Sequence, residues 1–327
     1  MVNKKISRRK LIGSSSVALL GVMSGYGFKA GKEAGLVPGA SKSAEELPFR
    51  ISLNTSTIRA YNLSVEEQID AVAEAGFDGI ELWVRDVQAY LNEGGTYESI
   101  SERLKDRNLV LENMIGFSQW ASDDAGAREQ AIEKLKQDML LTAKLGGKYI
   151  AAPVMGLNVL DKSKYEEYSQ RFLAIVELSD RTGVVPILEL WGHGPISRVA
   201  DGAYMVIATG HPNATMLLDF YHLYRGGNYW ETLDYINCGK LPIFHINDFP
   251  GNVPREQLND SDRIFPGDGI CPFNELIPKL YMAGFRGAFS VELFNQDYWD
   301  EMDVQTILKE SHDRTLKVLQ ESMTGTG

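Results

Sequence analysis

The chain has little of the chemistry on which many protein classes depend. Its 327 residues include only two cysteines, Cys238 and Cys271, too few for a disulfide framework. They read as two separate small core residues. There is no Gly-rich phosphate fingerprint, no Gly-x-Ser-x-Gly elbow and no Cys–His pair in a catalytic context. Nucleotide cradling, serine-hydrolase chemistry and thiol catalysis are therefore not expected. Positive charge is also scarce, with 33 Lys and Arg against 44 Asp and Glu and a net charge of −11. An acidic body repels phosphate backbones, so nucleic acid is not an expected partner.

What remains is a soluble globular composition, 44% hydrophobic and 24% charged. The first 44 residues read differently from the rest. Lys4, Lys5, Arg8, Arg9 and Lys10 precede a weakly apolar stretch, Leu11 to Phe28, rich in Gly, Ser and Ala. Small and polar residues interrupt it, which suits an export signal better than a membrane anchor. Ser7-Arg8-Arg9-Lys10-Leu11-Ile12 resembles the twin-arginine export motif of bacteria. Residues 1–44 are thus expected to be an export signal and linker, and the mature protein to be periplasmic without stable membrane insertion. They carry eight basic residues and one acid, so their removal leaves −18 on the body. Export of a folded chain suits a metalloenzyme, because the metal is loaded before the periplasm's own supply competes.

From Leu47 onward, β-type runs alternate with helical patterns. Eight runs qualify as strands: 49–54, 79–83, 109–116, 149–152, 185–190, 216–219, 243–247 and 288–292. Ser64-Val-Glu-Glu67 forms a capping box that opens the first helix. Further helices fit 127–145, 164–181, 197–209, 229–237, 273–283 and 304–320. Gly76, Gly146, Gly183, Gly210, Gly239 and Gly284 mark helix exits. Ala75-Gly76-Phe77-Asp78-Gly79 and Ala283-Gly284-Phe285-Arg286-Gly287 are near copies, the trace of a repeated helix–turn–strand unit. Eight such units predict a single-domain α/β fold, a (β/α)8 TIM barrel over 47–320, with 321–327 a flexible tail. About 25 residues rich in Pro, Gly, Asn and Asp separate the seventh strand from its helix. Long loops of that kind often carry function.

Four side chains close four successive strands: Glu189, Asp219, His245 and Glu292. Carboxyl ends of barrel strands share one rim. Three carboxylates and one imidazole meeting there would repel unless a cation compensated them, which predicts a divalent-metal site. His222 stands three residues after Asp219 and either contacts substrate, supports the metal or caps the next helix. Asp248 stands three residues after His245, where it would orient that ring or bind metal or substrate. Arg263, in the long loop, would grip a substrate oxygen or pair with Asp219 or Glu292. Glu81, near the end of the second strand, is a candidate substrate contact, and His193 a weaker one. Aromatic residues Trp83, Phe117, Trp120, Trp191, Phe249 and Trp299 recur at rim positions and suit the flat faces of a sugar or cyclitol.

Glu189, Asp219-x-x-His222, His245-x-Asn-Asp248, Arg263 with Pro266-Gly267-Asp268-Gly269, and Gly287-Ala-Phe-Ser-Val-Glu292 together resemble the xylose isomerase-like TIM-barrel superfamily. The resemblance runs from about Phe49 to Gln320. It implies one Mn, Mg, Co or Zn ion on Glu189, Asp219, His245 and Glu292. It also implies Glu189 and Glu292 as proton shuttles, with His222 and Arg263 on the substrate. Ketose 3-epimerases of this superfamily tend to carry a second glutamate six residues after the first, and Pro195 stands there instead. The expected reaction is isomerisation or epimerisation of a small keto-sugar or keto-cyclitol, by proton abstraction to a metal-bound enediolate. Alternatives are a lyase or dehydratase acting on a keto-sugar, keto-inositol or oxidised glycoside, and a non-catalytic sugar-binding protein. A homo-oligomer is compatible with the sequence.

Overall fold

The computed structural model describes residues 47–324, so the export reading of residues 1–44 lies outside the described residues. Eight parallel strands close into a barrel in sequence order: β1 Arg50–Asn54, β2 Gly79–Trp83, β3 Val110–Ile115, β4 Tyr149–Pro153, β5 Val185–Glu189, β6 Met216–Asp219, β7 Ile243–Ile246 and β8 Ala288–Val291. All eight expected strands are present, with ends shifted by at most one residue. Both cysteines are free and buried.

Alternation along each strand sets what faces inward. Ile187, Leu217 and Ile243 form one buried apolar cluster. Two residues further along each strand, on the same face, come Glu189, Asp219 and His245. The ionisable side chains therefore rest directly on an apolar plug, one step nearer the carboxyl rim. The opposite parity faces the helices. Phe244 and Phe289 pack there with Phe220, at ring separations of 4.4 and 6.4 Å. Such packing fixes each strand's roll and hence the aim of its last inward side chain.

The helix following β1 opens as expected. Ser64 accepts from the Glu67 N–H and Glu67 returns the bond, over Val65–Glu74. The near-copy turns place Gly76 and Gly284 at φ of 94° and 97°, a conformation that side chains with a Cβ rarely adopt. Elsewhere the helices differ from expectation. Two, Val84–Asn92 and Tyr97–Asp106, stand between β2 and β3, where the sequence pattern predicts none. The segment expected as a helix over 229–237 holds only a 3₁₀ turn, Trp230–Tyr235. The α-helix after β6 is instead Phe220–Arg225, capped by Asp219 itself. The last helix, Val304–Met323, extends into the expected tail.

The long loop after β7 is organised by Asp248. Its Oδ1 accepts from the N–H groups of Phe249 and Cys271, both at 2.9 Å, and its Oδ2 from those of Gly267 at 3.0 Å and Gly269 at 2.9 Å. Burial raises the Asp248 carboxyl above its ordinary range while these four amides work against it. Asp248 therefore contacts neither His245 nor the cavity, contrary to the sequence expectation. The reason is parity: His245 and Asn247 face the barrel, and the next side chain turns into the loop. Among the described residues no helix is long and apolar enough to cross a membrane.

Candidate metal centre and active site

Four buried side chains meet at the carboxyl mouth. Candidate ligand atoms of Glu189, His245 and Glu292 lie within 4.8 Å of one another. Asp219 pairs in register with His245 across β6 and β7 and brings its Oδ2 to 3.6 Å from His245 Nδ1. Glu292 Oε2 is 3.2 Å from the same nitrogen. All four sequence-predicted ligands therefore converge.

His245 shows why a cation fits. Its Nε2 donates to Glu81 Oε1 at 3.1 Å, and Asn113 Nδ2 donates to Glu81 Oε2 at 2.7 Å. Glu81 is wholly buried behind the ring. It is thus not a substrate contact, as expected from sequence, but the group that sets the tautomer of His245. The inward face of β2 carries Glu81 and then Trp83, so Trp83 takes the rim position and Glu81 lies one layer down. With Nε2 protonated, the Nδ1 lone pair points at two carboxylates and makes no hydrogen bond. That arrangement is repulsive unless a proton or a metal ion occupies the space. Burial opposes charge on the ring, but Glu292 and Glu81 hold its pKa well above the ordinary range. Three carboxylates and one imidazole are a donor set for a divalent cation, with a buried carboxylate supporting the imidazole from behind.

The two glutamates differ. Burial and then the charge of Glu292 push Glu189 up to about 8. Glu292 is held below its ordinary value: burial works against this, but His245 and Arg263 outweigh it. Asn54 Nδ2 donates to Glu292 Oε1 at 2.9 Å, and Arg263 Nη1 donates to Oε2 at 2.6 Å. Asp219 is lowered far below the carboxylate range against its burial, chiefly by Arg263. Its Oδ2 accepts from Arg263 Nη1 at 3.0 Å and Asn247 Nδ2 at 2.9 Å, and its Oδ1 from the His222 N–H at 2.8 Å.

Arg263 comes from the long loop and is almost wholly buried. Besides the two carboxylates it donates through Nη2 to Asp260 Oδ1 at 2.9 Å and to His222 Nε2 at 3.0 Å. Burial, then the Arg263 charge, push His222 down to about 3, so the ring is neutral. Its buried Nδ1 has no partner. A cavity of about 170 Å³ opens onto this cluster, lined by Glu189, Glu292, His222, Arg263, Trp191 and His193 among others. Trp83, Ile115, Phe117, Phe294 and Asp260 complete its wall. Of the other rim aromatics, Trp120 and Phe249 are buried in the core and do not line it.

Asn54 escaped the sequence reading, and Asn247 stood in the His245-x-Asn-Asp248 motif without a role. Asn54 ends β1 and Asn247 follows β7, so the strand-end rule that found the ligands also covers them. A neutral amide at a strand end carries no charge pattern to draw attention.

A closed parallel barrel with an acid–base cluster at its carboxyl mouth defines a TIM-barrel enzyme of the isomerase and epimerase kind. Residues 69–319 match the family model for the xylose isomerase-like TIM barrel, and the chain belongs to that family. It is 26% identical to the inosose isomerase of Halalkalibacterium halodurans over 271 residues, 80% of this chain and 94% of that protein. It is 25% identical to a 3-dehydroshikimate dehydratase of Bacillus anthracis over 246 residues, 71% of this chain and 87% of that protein. A 1.8 Å crystal structure of the IolI protein with a bound zinc atom superposes with a TM-score of 0.76 at 22% identity. That match covers 84% of this chain and all of the other, and it shares the fold.

Two predictions follow from these contacts. Glu81→Gln removes the charge behind His245 and should weaken divalent-metal affinity about 10- to 100-fold, read by competition with a chelator. Unchanged affinity would show that His245 needs no such support. The second concerns pH. Glu189 keeps its proton after the unfolded chain has released its own near pH 4.3. Its contribution to stability is therefore full below about pH 4 and is lost as pH rises to about 8. In chelator, the melting temperature of Glu189→Gln should rise relative to wild type across that window and level off above it. A constant difference would mean that Glu189 does not titrate there.

Proposed function

We propose that the protein is a divalent-metal-dependent isomerase or epimerase of a small keto-sugar or keto-cyclitol. The observation that carries this reading is the pair Glu189 and Glu292, two buried carboxyls that line one cavity beside His245. Moving a proton between two carbons, or between two faces of one carbon, needs one acceptor and one donor. The inosose isomerase relative supports the substrate class.

Glu189, Asp219, His245 and Glu292 would hold the ion, expected as Mn, Mg, Co or Zn. Once bound, it supplies Lewis acidity that polarises a substrate carbonyl. The rest is done by side chains of this chain. Glu292, fixed by Asn54, accepts the proton from the carbon beside the carbonyl. Glu189 returns a proton to a neighbouring carbon or the opposite face. The Arg263 guanidinium stabilises negative charge developing on substrate oxygen, and His222 lies against it at the cavity wall. Trp83, Trp191 and Phe294 provide flat apolar walls that exclude water.

A lyase reading has one specific support, the dehydratase relative. It shares the proton abstraction and differs in losing a group β to the carbonyl. NMR of keto-inositol and ketose substrates in deuterated water separates the readings. Deuterium uptake without loss of a group, cut at least about 100-fold by Glu189→Gln or Glu292→Gln, is the expected outcome. Loss of a group would favour the lyase. No exchange by the metal-loaded wild type would leave a binding protein.

We also propose that the chain is exported to the periplasm, from Ser7-Arg8-Arg9-Lys10-Leu11-Ile12. Arg8→Lys/Arg9→Lys should leave the protein in the cytoplasmic fraction of a twin-arginine-competent host. Periplasmic recovery of that variant would refute the assignment.

A further inference from the structure

Two guanidinium groups stand over the aromatic wall of the reacting cavity. Arg59, in the turn Thr55–Tyr61 that follows β1, lies 4.8 Å from the ring centroid of Phe294 and 5.2 Å from that of Trp299. The Trp299 indole N–H donates to the Thr57 carbonyl at 2.8 Å. This rim aromatic does not line the cavity but gives Arg59 a fixed seat. Arg85, in the first turn of the helix Val84–Asn92, lies 4.3 Å from the ring centroid of Trp83. Phe294 and Trp83 both line the cavity, and Phe294 packs against the small apolar cluster of Trp83, Ile115 and Ala151. The two cations therefore sit over neighbouring rings at one mouth.

Their charges are unequally compensated. Arg85 Nε donates to Asp86 Oδ1 at 3.1 Å, near the surface. Arg59 has neither an ion pair nor a hydrogen bond among the described residues. Burial and then the Arg85 charge lower its pKa from the ordinary value. Asp260 and Glu292 oppose that shift from a distance, and both are already bonded to Arg263. A guanidinium stacked by its face on a ring keeps its edge of N–H donors free. An anion in the plane of that edge would relieve the repulsion between the two arginines, which a neutral hydroxyl leaves in place. Glu189, Glu292 and Asp260 line the same cavity, so a doubly charged group is disfavoured there. A carboxylate brings one charge and two oxygens that match the guanidinium fork.

We infer that the molecule bound in the reacting cavity carries a carboxylate, held at the mouth by Arg59 with Arg85 beside it, so that the preferred substrate is an acidic sugar. This rests on the proposed function for the chemistry at the metal centre and adds to it one substituent that the substrate must bear. Arg59 and Arg85 are specificity residues in this arrangement, since neither reaches the reacting carbons.

Calorimetric titration of the metal-loaded protein with D-fructose, D-fructuronate and D-fructose 6-phosphate tests it. D-Fructuronate has a carboxylate where D-fructose has its terminal hydroxymethyl group. It should bind about tenfold or more tighter than D-fructose, the worth of one charge-assisted hydrogen bond. The readout is the ratio of those two dissociation constants. Arg59→Gln, at an exposed position without a partner among the described residues, should lower the ratio at least about fivefold. Arg85→Gln should lower it as well. Equal affinities, or no binding by any of the three, overturns the inference. A gain that survives both substitutions also overturns it, because the carboxylate then sits on the metal ion and not on the arginines. A gain confined to the phosphate overturns the carboxylate assignment. Deuterium exchange with a neutral keto-inositol is a separate measurement. Exchange without a gain for the acid would sink the carboxylate contact and keep the isomerase, and the reverse would sink the isomerase and keep the contact.

Discussion

Glu189, His245 and Glu292 place ionisable atoms within 4.8 Å of one another on an apolar floor of Ile187, Leu217 and Ile243. Two unit charges that close repel by about 3–4 kcal/mol at an effective dielectric near 20. Water cannot relieve the repulsion from below, so the protein supplies fixed partners. Arg263 bridges Asp219 and Glu292, Asn54 and Asn247 donate to the same two carboxylates, and His245 stands between them. Glu189 receives the least of this support, and its pKa is raised where that of Glu292 is lowered. The opposite shifts of the two glutamates thus come from an unequal distribution of positive charge around two chemically identical groups.

The remainder of the molecule holds this cluster in place. A closed barrel leaves no free strand edge, so side-chain directions at the rim inherit the rigidity of the whole sheet. Arg263, by contrast, arrives on a loop. The four amide bonds to Asp248 and the Asn295 Nδ2 bond to the Arg263 carbonyl at 3.0 Å give that loop a fixed course. The acid in His245-Ile-Asn-Asp248 is therefore part of the catalytic apparatus only indirectly, as an anchor for the segment that carries the guanidinium.

Much of this was legible in the chain. Strand positions could be read because buried parallel strands are short continuous apolar runs, and the ligands because charge at the end of such a run has no packing role. Roles were harder to read. Glu81 and Glu189 look alike in sequence, each a glutamate on an inward-facing strand position. Only the barrel shows that Trp83 follows Glu81 on the same face and pushes it one layer down. Asp248 was misread for the same kind of reason, a one-residue change of parity where the strand gives way to loop. The 229–237 segment has the apolar content of a helix. The chain instead places its α-helix earlier, because Asp219 already accepts the His222 N–H and starts a turn at once.

Asn54 joins two things that selection would otherwise treat separately. Its amide oxygen receives the indole N–H of Trp83, and its amide nitrogen donates to Glu292. A change to the Trp83 wall that altered which molecules fit would also loosen the acid–base pair. Phe117 has no side-chain group that can hydrogen-bond either glutamate, whereas the Trp191 side chain bonds Glu189. The Phe117 wall can therefore change without disturbing either glutamate, while Trp83 is tied to Glu292 through Asn54 and Trp191 to Glu189 directly.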